Sequence, residues 1–79
     1  MSVSINSDRR LIEVSYDAGD HDGPVQLFAT GEAGDIHNTA ELPNDGLAVL
    51  AYPASFTGSS DVEVRDLEGN VLDSGSISV

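Results

Sequence analysis

The sequence predicts an all-β protein: a single antiparallel β-sandwich of about seven short strands. Apolar residues recur at every second position in several segments, which is the period of a strand with one buried face. Clusters of Gly, Asp, Asn and Pro separate these segments at intervals near the ~8–12 residues typical of sandwiches. No segment shows the 3.6-residue period of a helix, and no repeat or linker divides the chain. We therefore expect residues 1–79 to form one domain.

The N-terminal half contains three alternating segments, at Ser2–Asn6, Arg9–Asp17 and Val25–Thr30. In the second segment Ile12 and Val14 lie on one face, followed on the same face by a tyrosine. We expect each segment to form a strand, with loops rich in Gly and Asp between them.

The middle of the chain is less regular. Residues Ile36–Leu42 predict a short edge strand, with Ile36, Asn38, Ala40 and Leu42 on one face. Leu47–Tyr52 predicts a strand that is apolar on both faces, and Pro53 ends it. Phe56 lies in the loop that follows, where it is expected to close the core.

Residues 61–79 give the clearest pattern, a β-hairpin. Val62 and Val64 alternate with charged residues, and Glu68-Gly69-Asn70 supplies a turn whose residues tolerate positive φ. The two valines are expected to face the same core as Ile12 and Val14.

The return strand of this hairpin has an irregular apolar pattern. Leu72 and Ile77 fall on opposite faces of a regular strand, because their positions differ by five, an odd number. An extra residue in the strand restores the phase, and glycines often mark such positions. We therefore expect a β-bulge at Gly75.

The charge balance limits the classes of partner. Fourteen Asp and Glu oppose three Arg, and the chain has no Lys, so the formal net charge is −11. Nucleic acids and anionic membranes are disfavoured as partners because such a surface repels phosphate. The chain has no cysteine, and no apolar run approaches the ~18–20 residues of a membrane span. Residues 1–5 lack the features of a signal peptide.

A loop rich in aspartate is a candidate calcium site. Asp17, Asp20 and Asp22 could direct oxygen atoms toward a hard cation. The EF-hand template fails here, because Ala18 and Ala29 occupy its first and twelfth positions. Two interpretations remain, a looser calcium site or a solvated acidic loop.

Catalytic signatures are absent from the sequence. His21 and His37 are its two histidines, and neither has the neighbours that a zinc site or a general base requires. No serine lies in a Gly-x-Ser-x-Gly turn, and there is no phosphate-binding glycine loop. We expect a protein that is not an enzyme and has no cofactor.

The strongest functional signal is the strand that is apolar on both faces. One of two sets, Leu47/Val49/Ala51 or Ala48/Leu50/Tyr52, must lie outside a two-layer sandwich. Either a loop of the same chain covers that set, or another protein does. The candidate interface residues are Leu47, Ala48, Val49, Leu50, Tyr52 and, by the same reasoning, Phe28.

In strand order, length and hairpin ending the chain resembles an immunoglobulin-like domain. The Cys…Trp…Cys set of antibody domains is absent, and Tyr52-Pro53 is only loosely similar to a tyrosine corner. Domains of this kind recur as decoration, turret or tail modules of tailed viruses and in bacterial surface proteins. The resemblance implies a structural or interaction module.

The dispersed acidic surface without lysine resembles proteins of salt-in halophiles and their viruses, although a GC-rich genome that encodes Arg in place of Lys also yields it. A virion subunit, located in the particle or the cytoplasm, is therefore expected. The alternatives are a surface domain that binds a ligand or calcium and an acidic decoy for a basic protein.

Overall fold

The computed structural model describes residues 1–19, 21–38, 41–43 and 45–79. In these ranges the chain forms strands and no helix, which confirms the predicted all-β sandwich. The strands are β1 (Ser2–Asn6), β2 (Leu11–Asp17), β3 (Val25–Thr30), β4 (Ile36–His37), β5 (Asp45–Ala51), β6 (Ser59–Asp66) and β7 (Val71–Ser78).

The strands form two antiparallel sheets. One has the order β1-β2-β5 and the other the order β4-β3-β6-β7. The central strands β2 and β6 each have a neighbour on both sides. In contrast, within the described ranges β5 is hydrogen-bonded to β2 alone, so it forms one edge of the three-stranded sheet.

The core lies between the two sheets, because every second side chain of a strand points to the same face of its sheet. Val62 and Val64 of β6 are fully buried in one cluster with Ile12 and Val14 of β2, as predicted. Phe56 also lies in this cluster and is 2 % exposed, so it closes the core as expected. Burial of each such side chain contributes about 1.5–3 kcal/mol.

Several strands have bounds different from those predicted, among them β2 and β5. The strand predicted over Arg9–Asp17 begins at Leu11, because Arg10 adopts a positive φ of 54° in the turn after β1. The strand predicted over Leu47–Tyr52 covers Asp45–Ala51. Asp45 is charged and Gly46 has no side chain, so the apolar pattern predicted that this strand begins two residues later, at Leu47.

The edge strand predicted over Ile36–Leu42 is much shorter, since β4 comprises two residues paired with β3. Leu42 instead forms an isolated bridge with Val25, in which each backbone N–H donates to the other's carbonyl at 2.8 and 3.0 Å. Ala40 lies outside the described residues, so its predicted position has no structural counterpart.

The predicted turn of the β6–β7 hairpin is present. Gly69 has a φ of 92°, and the Asp66 carboxylate accepts hydrogen bonds from the backbone N–H groups of Glu68 and Asn70, both at 2.9 Å. The side-chain amide of Asn70 donates to the same carboxylate at 2.9 Å. These hydrogen bonds lower the pKa of Asp66 below its ordinary value of 3.8, and the bond from the Asn70 side chain has the largest effect.

The β-bulge exists, but the prediction that it lies at Gly75 is wrong. Asp73 pairs with Val64, and Val71 pairs with the next residue of β6. Leu72 is the extra residue between these pairs, and it packs against the core. A bulge at either position restores the apolar phase, so the pattern alone could not choose between them.

Gly75 is required for close packing instead. It pairs regularly with Val62, and a Cβ added there would lie 3.2 Å from both Met1 Sδ and Val3 Cγ2. The missing side chain therefore lets the start of β1 pack onto β7.

Substitution of this glycine tests that packing. Gly75→Val should lower the free energy of unfolding by about 1–3 kcal/mol, because extra methyl groups overpack the site. The matched control is Ser76→Val, which places the same side chain on the exposed face of the strand. Chemical denaturation measures both, and equal stability of the two variants would contradict the packing role.

The turn at Asp66 predicts a dependence on pH. Because its pKa is lowered by folding, its stabilising contribution is complete above about pH 3.8 and disappears as the pH falls through the lower folded value. Asp66→Ala should therefore lower the melting temperature at pH 7, with a gap from wild type that narrows in acid. Asp66→Asn keeps a hydrogen-bond acceptor and serves as the control. A gap that stays constant between pH 7 and pH 3 would show that ionisation of Asp66 does not matter.

Candidate functional site

The register between β2 and β5 decides which face of β5 is buried. Leu50 pairs with Ile12 and Ala48 pairs with Val14, and both partners on β2 face the core. Ala48 and Leu50 are therefore buried, and Tyr52 just beyond the strand is buried with them.

The other face of β5 is exposed. Leu47 is 85 % exposed and Val49 is 53 % exposed, and Ala51 is also exposed. Of the predicted interface residues on this strand, Ala48, Leu50 and Tyr52 therefore have side chains that pack in the core. The interface remains a prediction, now carried by Leu47 and Val49, which we call the apolar strip.

The apolar strip lies on the outer face of the three-stranded sheet. Pairing across the sheet forms two rows of outward residues, one ending at Leu47 and one at Val49. The rows line an open depression of about 420 Å³. Its outward-facing lining residues are Ser2, Ser4, Glu13, Ser15, Leu47 and Val49. A shallow surface with hydroxyls, one carboxylate and two aliphatic side chains suits contact with another protein surface.

The backbone edge of β5 is a second part of the candidate site. The N–H of Tyr52 donates to the carbonyl of Arg10 at 3.0 Å, so the backbone groups of Tyr52 and of alternate residues before it point toward β2. The remaining backbone N–H and C=O groups of β5 point away from β2; they belong to Asp45, Leu47, Val49 and Ala51. Among the described residues no backbone group bonds to them there. This edge carries free hydrogen-bonding groups beside exposed apolar side chains.

Sequence reasoning missed this edge. Pro43 and Pro53 flank β5, and residues 46–51 between them carry no charge. That uncharged run was a usable signal for an unprotected edge, because edge strands are commonly protected by charges or prolines. It was not decisive, because the sequence does not tell which strand lies at an edge.

Phe28 differs from the apolar strip because the chain covers it. Its ring lies on the outer face of β3 and is half-buried. The Arg65 guanidinium lies 4.3 Å from the ring centroid, and the His37 ring lies at 5.5 Å. Arg65 Nε in turn donates to Glu63 at 3.0 Å. The Arg65 and His37 side chains therefore leave Phe28 less available to a partner than Leu47.

The acidic loop gives no support to the calcium hypothesis. Asp17 accepts a hydrogen bond from the N–H of Gly19 at 2.8 Å, and Asp22 is exposed. Asp20 lies outside the described residues. In the ranges that the structure describes, no group of three or more metal-ligating side chains could hold a metal ion. The calcium site stays untested at Asp20.

Two carboxylates face each other at one end of the sheet. Asp17 of β2 pairs with Asp45 of β5, and both are exposed. The pKa of the nearby Tyr16 hydroxyl is raised, mainly because the group is buried and to a smaller extent because Asp45 is negatively charged. This hydroxyl donates a hydrogen bond to the Pro43 carbonyl at 2.8 Å. Like charges directly opposite each other destabilise a strand pair.

Removal of one of these charges should stabilise the protein in dilute buffer. We expect Asp45→Asn to raise the free energy of unfolding by about 0.2–1 kcal/mol. The gain should shrink at ~1 M NaCl, where the screening length falls to about 3 Å.

The control for this measurement is Asp61→Asn, because Asp61 lies opposite Thr30 and Ser76, which carry no charge. Thermal melts of dilute samples at both salt concentrations measure the two effects. An equal gain in both variants would mean that net charge acts, and not the facing pair.

The arrangement of strands does not by itself assign the chain to a protein family. Among the described residues no helix is long and apolar enough to cross a membrane. Comparison of the chain with models of protein families, with curated proteins and with solved structures found no match in any of the three.

Proposed function

We propose that this chain is a non-enzymatic structural module that docks on a larger protein assembly, and that the assembly is the particle of a halophilic tailed virus. In that particle it would serve as a decoration, turret or tail subunit. The observation that carries the proposal is the apolar strip, which is exposed on a chain with a net charge of −11.

The energetics of the strip support docking. Full burial of Leu47 and Val49 against a partner contributes about 2–5 kcal/mol before the costs of association. Exposed Leu67 and Val71 also lie on the surface, but they flank the β6–β7 turn beside charged residues. Leu47 and Val49 instead lie two positions apart on the same face of β5, so a partner can cover them as one patch.

The strand order supports the resemblance to an immunoglobulin-like domain, from which the proposed structural role was inferred. In constant-type immunoglobulin domains the first, second and fifth strands share one sheet, and the third, sixth and seventh share the other. This chain has the same arrangement. The fourth strand, which lies beside the fifth in those domains, here pairs with β3 and leaves β5 uncovered.

The charge supports the halophilic part. A net charge of −11 on 79 residues repels itself in dilute buffer, and concentrated salt screens that repulsion. The facing carboxylates of Asp17 and Asp45 are a local case of the same cost. Such a composition suits a protein that works in concentrated salt.

Within the described ranges, the two titratable groups with shifted pKa values are both engaged in structural hydrogen bonds. Strongly shifted pKa values tend to cluster at catalytic sites. Among the described residues the pKa departs clearly from its ordinary value at Tyr16 and Asp66. Tyr16 donates to a carbonyl of the loop before β5, and Asp66 closes the hairpin turn, so each group has a structural partner.

The experiment is photo-crosslinking through the apolar strip. A benzophenone amino acid replaces Leu47 in cells that produce the protein in its natural setting, and the matched control places it at Leu67, which is 54 % exposed. We expect a discrete adduct from position 47 and none from position 67. The mass of the adduct shows whether the partner is another protein or a second copy.

Two outcomes would contradict the proposal. The absence of any discrete adduct at position 47 would show that the strip is not an interface. Equal adducts at both positions would show that exposure alone determines crosslinking. Circular dichroism on each variant confirms that the fold is intact, so a negative result is not caused by unfolding.

A further inference from the structure

We propose that the edge of β5 pairs in antiparallel fashion with β5 of a second copy, centred on Ala48, to form a continuous six-stranded sheet. This inference rests on the proposed role as an interaction module, and it adds a contact between two copies at the β5 edge beside the apolar strip. An isologous pair of this kind uses the same surface on both copies.

The direction of the backbone groups restricts the register of such a pair. The free edge offers N–H and C=O groups at odd-numbered positions only, from residue 45 to residue 51. Odd-numbered residues must therefore face odd-numbered residues of the second copy. Under a two-fold axis this requires the centre of symmetry to lie at a whole residue, such as Leu47, Ala48 or Val49.

The flanking prolines select one of these centres. Pro43 and Pro53 lack a backbone N–H, and they lie symmetrically on either side of Ala48. A centre at residue 47 would pair Ala51 with Pro43, and a centre at residue 49 would pair Asp45 with Pro53. A centre at Ala48 pairs the four free positions with one another and forms about eight backbone hydrogen bonds.

The side chains agree with this register. Leu47 of one copy lies opposite Val49 of the other, twice by symmetry, with Cβ atoms about 4.5–5.5 Å apart. The two apolar strips then join into one patch on the outer face. Aliphatic pairs at such positions stabilise strand pairing.

The charges at the two ends of the edge are complementary. Asp17 and Asp45 lie at one end of the sheet, and Arg10 bonds to Tyr52 at the other. Two-fold pairing brings Arg9 and Arg10 of each copy about two strand spacings, roughly 10 Å, from Asp45 of the second copy. Two of the three cations in the chain thus approach the facing carboxylates. This self-complementarity favours a second copy over an unrelated strand.

The β7 edge of the four-stranded sheet is less suited to pairing. β7 carries the bulge at Leu72, and Met1 and Val3 pack over it at Gly75. A bulge twists an edge away from a partner strand. By contrast, β5 has no register shift against β2.

The first experiment tests the register by crosslinking, which is selective because the chain has no cysteine. In the proposed pair Ala48 faces Ala48 of the second copy, in a non-hydrogen-bonded pair with Cα atoms about 4.5 Å apart. Ala48→Cys should therefore form a disulfide dimer under mild oxidation in concentrated salt, because disulfides span about 4.4–6.8 Å.

The matched control is Leu47→Cys. Leu47 is far more exposed than Ala48, but in this register the two copies of residue 47 lie diagonally, about 7–8 Å apart. We expect the dimer yield of Ala48→Cys to exceed that of Leu47→Cys severalfold. A higher yield from the exposed position would overturn the register, since it would reflect random collision.

The second experiment removes a donor on the free edge. Val49→Pro deletes an N–H that points away from β2, so the chain should fold and fail to dimerise. Val49→Thr keeps that N–H and the branched shape, and it should still dimerise. Light scattering after size exclusion, at low and multimolar salt, measures mass, and circular dichroism confirms folding.

The results separate this inference from the proposed function. A wild-type chain that is monomeric in all salts, or a dimer that persists in Val49→Pro, would overturn pairing with a second copy. A crosslink from position 47 to a different protein would at the same time support the docking function. A wild-type dimer that increases with salt and disappears in Val49→Pro supports the inference.

Discussion

The core cluster that the inward faces of β2 and β6 share is the interaction on which the rest of the structure depends. The chain has no cysteine and few cations, so neither disulfides nor a network of ion pairs can hold the two sheets together. Ile12 and Val14 instead meet Val62 and Val64 in one buried cluster. These two strands also carry the others, because β1 and β5 pair with β2, whereas β3 and β7 pair with β6.

This arrangement explains why the surface has one unusual region. β4 pairs with β3 in the four-stranded sheet and not with β5, so the three-stranded sheet ends at β5. Acidic residues are dispersed over most of the chain, and they protect it by repulsion. Residues 46–51 are exempt from that protection, and their exposed side chains are apolar. This combination of an uncharged edge with exposed apolar side chains makes β5 the candidate for association on an acidic surface.

Alternation predicted the core well where one face of a strand is apolar and the other polar. Val62 and Val64 had one physically acceptable orientation, because the opposite one would bury charges. The turn at residues 68–70 was predicted for a similar reason, since few residues accept positive φ. The candidate site was predicted only in part. Leu47–Tyr52 was recognised as unusual, but the face that a partner could reach was not known.

The sequence by itself therefore determined the fold class, the central strands and the strand that carries the candidate site, because these follow from local periodicity. Tertiary structure alone decided which side of that strand is exposed to solvent. Both sides are apolar, and the choice was made by pairing Leu50 with Ile12 on β2. It also placed the bulge at Leu72, because Gly75 is needed where Val3 packs. In each case two local solutions were equally good, and contacts distant in sequence selected one.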